Sequence, residues 1–391
     1  MKIIAAYLPQ FHNIPENDEW WGDGFTEWVN VKNAKPMYEG HKQPRVPLNN
    51  NYYNLLNDDV KVWQAKIAKK YGVYGFMYYH YWFNGKMLLE KPMEQMLANK
   101  EVDIPFCVCW ANEAWTKSWV GDTKKILIYQ SYGKEKEWKE HFDYLLPFFK
   151  DKRYIYEDGK PLSVLYRPHV IDCLEEMVAY WKKLAVEAGL KGLVVVSQNL
   201  ELQTEKLSGE KCIDRFIEYQ PTVARNDLSR SNNRYQRLKK IRRSVARFVD
   251  KHFGIDLLRV GQSTLSKLNQ MDRIPYETAW EAILKREPVS PKNYPGAFVR
   301  WDNSPRHKER ARIYYGETPE KFKKYMKEQI RRARDVYKKD KIFIYAWNEW
   351  AEGGYLEPDE EYGYGYLEAI QDALNENGEF PKYESIEIQH K

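Results

Sequence analysis

The sequence predicts an α/β protein built as a single (β/α)8 TIM barrel, and three observations lead to that prediction. Eight short apolar runs, rich in β-branched and aromatic residues, alternate with amphipathic stretches of helical spacing. Such alternation is typical of parallel strands joined by helices, and eight strands close a barrel. The chain has 391 residues, which is longer than a typical single domain but suits one barrel with insertions.

The predicted strands are spread over the whole chain. In order they are KIIAAYL (2–8), VYGFMYY (73–79), PFCVCWA (105–111), LSVLYR (162–167), LVVVSQ (193–198), RFIEYQ (215–220), AFVRW (297–301) and IFIYAW (342–347). Apolar residues recur every three to four positions in DDVKVWQAKIAKKYG, EWKEHFDYLLPFF, LEEMVAYWKKLAVEAG and PEKFKKYMKEQIRRARDVYKK, which predicts helices. In the first of these, Asp58 is the expected N-cap and Gly72 the expected stop signal.

Two segments exceed a minimal barrel. Residues 9–57 form a long loop, rich in Trp, Asn and Pro, between the first strand and the first helix, and loops of this length are usually lids or binding loops. Residues 222–275 form an insertion after the sixth strand, and within it 233–253 predict a basic amphipathic helix. The predicted barrel therefore spans 1–380, including this insertion, and 381–391 is a tail.

The basic helix has two interpretations, and the sequence leaves both open. It could pack on the barrel with its basic face in solvent. It could also attach the protein to an anionic membrane surface or a lipid-linked glycan.

The net charge of +6 comes from one segment of the chain. Between 221 and 260 eleven Lys and Arg face three Asp, an excess of +8, so the remainder carries about −2. Nucleic-acid binding by the whole protein is therefore not indicated. No apolar stretch approaches the roughly 18 residues of a membrane span, and the apolar run before Pro9 is too short for a signal peptide. We expect a cytoplasmic protein, with membrane association only through the basic helix.

Aromatic residues are unusually abundant, with 14 Trp and 30 Tyr. Their flat apolar faces and polar edges match the C–H faces and hydroxyl edges of sugar rings. The composition therefore fits a carbohydrate site, although an aromatic-rich core explains it equally well.

The stretch AWNEWAEGGY, at the end of the eighth predicted strand, contains the candidate catalytic residues Glu349 and Glu352. Cleavage of a glycosidic bond needs one carboxyl group as proton donor and a second as nucleophile or base. The aromatic neighbours Trp347, Trp350 and Tyr355 could raise one pKa by desolvation, as a general acid requires. The alternative is that Glu349 is a structural hydrogen-bonding residue and Glu352 an ordinary surface residue.

A second Asn-Glu pair between tryptophans, WANEAW, follows the third strand, so Glu113 is a rival that could pair with Glu349 or bind sugar hydroxyls. Polar and aromatic side chains also collect near the carboxyl ends of other strands and in the long loop, and active sites of such barrels lie at that end. The predicted sugar-binding residues are Tyr7, Gln10, His12, Trp28, His80, Trp82, Trp110, Asn112, Glu113, Arg167, Gln198, Trp301, Asp302, Trp347, Asn348, Trp350 and Tyr355.

Motifs for metals and cofactors are weak. The sequence has no HExxH, no GxGxxG and no Walker A motif, and the histidines are scattered. The four cysteines form no CxxC pair, which favours reduced thiols. We predict neither a metal nor a cofactor.

Four long motifs together resemble one known family. They are YLPQFHNIPENDEWWGDGFTEW, WANEAWTKSW, YPGAFVRWDNSPR and WNEWAEGGYLEPD. They resemble the WbsX-like family, which is labelled glycosyltransferase, occurs in O-antigen and capsule gene clusters, and is related to glycoside hydrolase family 99, the endo-α-mannosidases and endo-α-mannanases. The resemblance runs from residue 1 to about 372 and implies the same (β/α)8 barrel.

The resemblance also implies roles for the two glutamates. The family-99 pattern Asn-Glu-Trp-x-Glu-Gly matches the segment from Asn348 to Gly353. It implies that Glu349 is the base that deprotonates the sugar 2-hydroxyl to give a 1,2-anhydro sugar. Glu352 would be the general acid and then the base. The outcome is retention without a covalent adduct, which departs from the usual scheme of retaining enzymes. Those hydrolases have His where this chain has Ala351, so the local hydrogen bonding differs.

We therefore expect an enzyme that cleaves internal α-linked sugars in a bacterial polysaccharide with retention, and whose partner is an oligosaccharide or polysaccharide. The first alternative is a glycosyltransferase or transglycosylase in O-antigen or capsule biosynthesis. The second is a glycan-binding barrel without catalysis.

Overall fold

A barrel of parallel strands forms the centre of the protein in the computed structural model, which describes residues 1–116, 126–198, 211–231 and 271–383. The described strands β1 to β18 are Lys2–Tyr7, Val73–Phe83, Lys86–Leu88, Phe106–Trp110, Trp115–Thr116, Ile126–Ile128, Tyr156–Glu157, Lys160–Leu165, Val194–Ser197, Arg215–Ile217, Asp272–Pro275, Asn293–Tyr294, Gly296–Phe298, Trp301–Asp302, Arg312–Tyr315, Lys341–Tyr345, Asn348–Glu349 and Gly354–Tyr355. The described helices α1 to α11 are Pro15–Trp21, Glu27–Lys32, Asp58–Lys70, Lys91–Ala98, Glu135–Phe149, Leu174–Glu187, Thr222–Ser231, Tyr276–Lys285, Ser304–His307, Pro319–Asp335 and Gly365–Glu376.

The barrel strands follow one another in the order β12, β10, β9, β8, β4, β2, β1, β16 and β13, and all neighbours are parallel. Each of the eight predicted runs overlaps one of these strands. The seventh is divided, because β12 pairs with β10 while β13 pairs with β16. Pro295, which has no N–H to donate, separates the two pieces. The divided strand thus closes the ring, and the predicted (β/α)8 fold is confirmed.

Closure at the seventh strand depends on Gly296. A Cβ atom built on this residue would lie 1.6 Å from the carbonyl oxygen of Glu218. No other residue type fits this close approach of β13 to the sixth strand.

The N-cap of the first long helix, α3, lies one residue before the predicted position. Asn57, rather than Asp58, is the N-cap, and its Oδ1 accepts a hydrogen bond from the Asp59 amide at 3.0 Å. The stop signal is where it was predicted, because Gly72 follows the helix with φ +85°.

The predicted basic helix at 233–253 lies outside the described residues, as do residues 384–391 of the tail. The described ends of the insertion are α7 and β11, and β11 pairs in parallel with β15. Among the described helices, none combines the length and the apolar character needed to cross a lipid bilayer. All four cysteines are free thiols, as expected.

Candidate active site

A cavity of about 590 Å³ lies at the carboxyl end of the barrel strands, and we call it the first cavity. Its volume is typical of pockets that bind small molecules or parts of polymers. Most of its wall comes from residues that end parallel strands or follow them directly. The lining residues are Leu8, Gln10, Trp21, Tyr79, Tyr81, Ala111, Glu113, Ala114, Trp115, Thr116, Leu127, Tyr166, Arg167, Tyr219, Thr222, Trp301, Arg306, Tyr345, Glu349 and Glu352.

The two predicted catalytic glutamates share two partners in this cavity. Glu349 lies in β17, and Glu352 lies in the 3-10 turn that follows. Arg306 places Nη2 3.1 Å from one Glu349 oxygen and Nη1 3.0 Å from a Glu352 oxygen. The Tyr345 hydroxyl lies 2.9 Å from Glu352 Oε2 and 3.4 Å from Glu349 Oε2. The facing oxygens of the two carboxyl groups are therefore at most 6.3 Å apart, the sum of 2.9 Å and 3.4 Å.

The environment of Glu349 favours its protonated form. Burial raises the pKa of this carboxyl group, which is 1% exposed, to about 8, and the negative charges of Glu352 and Glu27 act in the same direction. The Arg306 guanidinium opposes them without cancelling them. Glu352 is closer to solvent, with 17% of its side chain exposed. Burial and the neighbouring negative charges therefore favour retention of a proton by Glu349 in this arrangement.

Arg306 is the centre of this charge cluster. Its guanidinium contacts Glu27 at 3.2 Å as well as the two catalytic candidates, so one cation faces three carboxyl groups. It is carried by the short helix α9, next to Asp302. Burial, together with the excess of acidic groups around this single cation, raises the pKa of Glu349.

Asp302 fixes the position of that helix and of the long loop after β1. Its carboxylate lies 2.8 Å from His41 Nε2, accepts a hydrogen bond from Gln43 Nε2 at 2.8 Å, and accepts one from the Ser304 amide at 3.0 Å. Burial alone would raise the pKa of Asp302, but these hydrogen bonds and the charge of Arg45 hold it down to about 2. Asp302 does not line the first cavity.

The two candidate glutamates lie in the segment 348–352, which we call the catalytic segment. Gly353 allows this segment to turn back against Asp302. Its φ of +64° is left-handed, and a Cβ atom there would lie 3.1 Å from the Asp302 amide nitrogen. A glycine is therefore required directly after Glu352.

Each glutamate of the two Asn-Glu pairs follows an asparagine that binds the neighbouring strand. Asn348 accepts from the Leu8 amide at 2.8 Å and donates to the Leu8 carbonyl at 3.0 Å. Asn112 makes the same two bonds with Arg167, at 2.8 Å and 2.7 Å. Both side-chain amides extend the hydrogen bonding between neighbouring strands by one residue at the carboxyl end of the barrel. In both units the next residue, Glu349 or Glu113, lines the first cavity.

Glu113 lines the same cavity and forms an ion pair with Arg167. Both side chains are about one-third exposed, at 35% and 31%. This second carboxylate is thus placed near the mouth of the cavity, with its own cation.

Six of the predicted site residues line the first cavity. Gln10 donates to the Tyr81 hydroxyl at 3.0 Å, and the Trp301 ring packs on Tyr345 with centroids 5.3 Å apart. The full set is Gln10, Glu113, Arg167, Trp301, Glu349 and Glu352.

The structure does not bring His80, Trp82 and Trp110 to the cavity. They face helix α5 on the outside of the barrel, where Trp82 stacks on His141 with centroids 4.5 Å apart. His80 Nε2 lies 2.9 Å from His141 Nε2, and Trp110 donates to the Trp82 carbonyl at 3.0 Å. For these residues the structure replaces predicted sugar contact with packing between strand and helix.

Most of the other predicted residues outside the cavity wall act as supports through buried hydrogen bonds. Tyr7 donates to Gln64 at 2.6 Å, and Gln198 donates to the Tyr79 hydroxyl at 2.8 Å. The remaining members are buried in the core or hydrogen-bonded behind the catalytic segment: His12, Trp28, Trp347, Trp350 and Tyr355.

The predicted sugar-binding set does not include the tyrosines of the cavity wall or Arg306, although the sequence places Arg306 just after the seventh strand. The omitted residues are Tyr79, Tyr81, Tyr166, Tyr219, Tyr345 and Arg306. In β2 the inward residues Tyr79 and Tyr81 alternate with the outward His80 and Trp82. The strand was therefore predicted correctly, but the choice of which of its two faces lines the cavity was wrong. All eleven residues of β2 are buried, and a strand buried on both faces has no polar alternation from which to make that choice.

Within the described ranges, no group of three or more His, Cys, Asp or Glu is arranged to hold a metal ion.

The family model described as Glycosyltransferase WbsX matches residues 3–370 of the chain. The chain belongs to the WbsX glycosyltransferase family. It is also 33% identical over 379 residues to proteins described as uncharacterized protein WxcX from two strains of Xanthomonas campestris pv. campestris, covering 95% of this chain and 49% of theirs. The chain thus spans about half the length of these curated relatives.

Solved structures share the fold of this WbsX-family protein. The GH99 endo-alpha-mannosidase from Bacteroides thetaiotaomicron is 14% identical, with 96% of each chain covered and a TM-score of 0.51. A structure described as a glycoside hydrolase-like protein is 13% identical, with 95% of this chain and 93% of the other covered and a TM-score of 0.54. At such identities the likeness shows the barrel fold and nothing further.

Proposed function

We propose that this WbsX-family protein is a retaining carbohydrate-active enzyme in which Glu349 and Glu352 perform the chemistry. The observation that carries the proposal is the carboxyl pair itself, which shares Arg306 and Tyr345 at the wall of the first cavity. One member is buried with a raised pKa, and the other is nearer to solvent. Glycosidic bond cleavage needs two such groups in different protonation states.

The upper bound on the spacing of the pair lies below the range that inverting enzymes use. Retaining enzymes hold their carboxyl groups about 5 Å apart, whereas inverting enzymes leave about 6.5 to 9.5 Å for a water molecule. The facing oxygens here are at most 6.3 Å apart, the sum of 2.9 Å and 3.4 Å. Both carboxyl groups can therefore reach one sugar ring.

The assignment of Glu349 as base requires it to lose its proton before the reaction. Arg306 promotes that loss, because its guanidinium stabilises the ionised form. Glu352 then protonates the leaving oxygen as its bond to C1 breaks, while Glu349 takes the proton of the sugar 2-hydroxyl, whose oxygen bonds to C1 to give a 1,2-anhydro sugar. Water that loses a proton to Glu352 then attacks C1, and the released 2-oxygen regains its proton from Glu349, so that two inversions at C1 give retention.

Aromatic rings of the wall supply the sugar-binding surface. Trp301, Trp115 and the inward tyrosines present rings around the carboxyl pair, while Gln10 presents an amide. Internal α-linked sugars of a bacterial polysaccharide are the proposed substrate, supported by the family and by a neighbour named as an endo-α-mannosidase.

The test is incubation with α-linked mannooligosaccharides, followed by NMR of the anomer released, for the wild type and Glu352→Gln. We expect slow cleavage with retention by the wild type, and binding without cleavage by the variant. Cleavage by Glu352→Gln at the wild-type rate would overturn the role of the pair.

A glycosyltransferase is the second candidate, because the family is described by that activity. The first cavity argues against a nucleotide-sugar donor, since Arg167 and Arg306 are both already paired with carboxyl groups. Calorimetry with a panel of sugar nucleotides separates the two candidates. Tight binding of one of them without glycan cleavage would favour the transferase.

Membrane contact through 233–253 is a proposal from the sequence alone. Deletion of this segment is expected to reduce co-sedimentation with anionic vesicles. Equal co-sedimentation of the full chain and the deletion variant would exclude this role.

A further inference from the structure

A second cavity, of about 470 Å³, lies behind the catalytic segment and shares no lining residue with the first cavity. Its wall comes from the loop after β1, from helix α3 and from the chain after β18. The lining residues are Pro47, Leu48, Asn49, Asn50, Asn51, Tyr52, Tyr53, Trp63, Trp350, Glu357, Pro358 and Tyr364.

Backbone hydrogen bonds fix the two loops that form this wall. The Leu48 amide donates to the Pro358 carbonyl at 3.0 Å, and the Glu360 amide donates to the Val46 carbonyl at 2.9 Å. An isolated β-bridge also joins Pro47 to Asp359. The two segments that form the wall are therefore held together by backbone hydrogen bonds, and the cavity is not a gap between independent loops.

Three consecutive asparagines present their amide groups at this wall. Asn49, Asn50 and Asn51 are exposed, and no hydrogen bond of their side chains occurs within the described part of the chain. Asn49 and Asn50 have left-handed backbones, with φ of 58° and 54°. Asparagine tolerates that conformation better than most residues, and each free amide offers two donors and an acceptor.

Aromatic rings complete the cavity. Trp63 and Tyr364 are half-buried there, and Tyr364 stacks on Tyr71 with centroids 5.6 Å apart. The floor is Trp350, whose Nε1 donates to the buried Glu357 carboxyl group at 2.7 Å. Glu357 is the only charged residue among the lining residues, and no cation is among them.

We propose that the second cavity binds neutral sugar units of a polysaccharide. Half-buried aromatic faces next to exposed amides are the groups that recognise sugar rings and their hydroxyls, and the described lining residues include no Lys or Arg. The ligand class rests on the proposed function. Since Trp350 follows Glu349 directly in the chain, a bound glycan would lie on the opposite side of the catalytic segment from the reacting sugar.

The test uses Glu352→Gln protein labelled with 5-fluorotryptophan and fluorine NMR. Trp63→Phe and Trp301→Phe assign the reporter of each cavity. The probes are α-mannotetraose, maltotetraose, cellotetraose and chitotetraose at millimolar concentrations. We expect the Trp63 resonance to shift with at least one probe, and Asn51→Ala to weaken that binding about three- to tenfold. The matched control Asn375→Ala removes an exposed asparagine of α11 and should not change the affinity for the probe.

The outcomes separate this proposal from the proposed function. A Trp63 resonance that no probe shifts, beside a Trp301 resonance that does shift, overturns the second site and leaves the first intact. A Trp63 shift that Asn51→Ala and Asn375→Ala weaken equally also overturns it. If neither reporter moves, glycan binding fails in both cavities.

Discussion

The third and the eighth barrel strands lead into the same unit, an Asn-Glu pair between tryptophans, yet the two glutamates have different surroundings. Asn112 and Asn348 are both fully buried and make the same two bonds to the next strand. Glu113 then pairs with Arg167 near the mouth, whereas Glu349 is buried beside Arg306 and two more carboxyl groups.

This comparison separates what the motif does from what its neighbours do. The asparagine fixes the backbone and projects the glutamate inward in both places. At the eighth strand, burial and the excess of acids over cations then raise the pKa of Glu349. The eighth strand has the more buried glutamate and the more acidic surroundings, and we place the chemistry there.

The largest expected effect distinguishes the two glutamates directly. Glu349→Gln should lower kcat by about 10³-fold, because a positioned acid or base contributes about 10² to 10⁴. Glu113→Gln should lower it by less than about tenfold and act mainly on KM. Steady-state kinetics on a cleaved oligosaccharide, with thermal unfolding as the control for folding, measure both. Equal losses of kcat would mean that Glu113 takes part in the chemistry.

The two asparagines should differ in activity but not in stability. Removing either amide by mutation to Ala leaves a backbone N–H and C=O unpaired, those of the buried Leu8 or of the half-buried Arg167, which costs up to about 2 to 4 kcal/mol of the free energy of unfolding. Asn348→Ala should also lower kcat about 100-fold, since a small displacement of Glu349 misplaces the reacting group. Urea unfolding and kinetics check this pair of variants. A kcat for Asn112→Ala as low as that for Asn348→Ala would contradict the distinction.

The protonation of Glu349 predicts a dependence of stability on pH. Its folded pKa, about 8, lies above its ordinary value of 4.5, so its stabilising contribution is complete below pH 4.5 and is lost as the pH rises through 8. The free energy of unfolding should fall by up to about 1.4 kcal/mol per pH unit in this window. Glu349→Gln should reduce that slope, measured by urea unfolding at a series of pH values. An unchanged slope in Glu349→Gln would place the proton elsewhere.

The smallest effect is expected at the cavity mouth. Arg167→Lys keeps the charge opposite Glu113, and an ion pair one-third exposed contributes little, so the free energy of unfolding should change by less than about 1 kcal/mol. KM should rise a few-fold, because lysine loses the planar geometry of the guanidinium. A large fall in kcat would show that this wall, too, holds reacting groups.

Particular residues show which parts of the candidate site could be predicted from the sequence. The i,i+3 spacing of Glu349 and Glu352 at a strand end was enough to predict both as a pair. His80 and Trp82 were chosen instead of Tyr79 and Tyr81, because β2 is buried on both faces and its pattern does not reveal which side faces the cavity. Arg306 comes from a different loop, and nothing in its local sequence indicates that it contacts three acids.

The sequence by itself determined the eight parallel strands, the Asn-Glu units and the carboxyl pair, because periodicity and short-range spacing are local properties of the chain. Only the tertiary structure decided that Arg306 meets Glu27, Glu349 and Glu352, and that burial raises the pKa of Glu349. Burial and charge balance are sums over groups far apart in sequence. The burial of Glu349 and the charge balance around it are therefore set only when the barrel has folded.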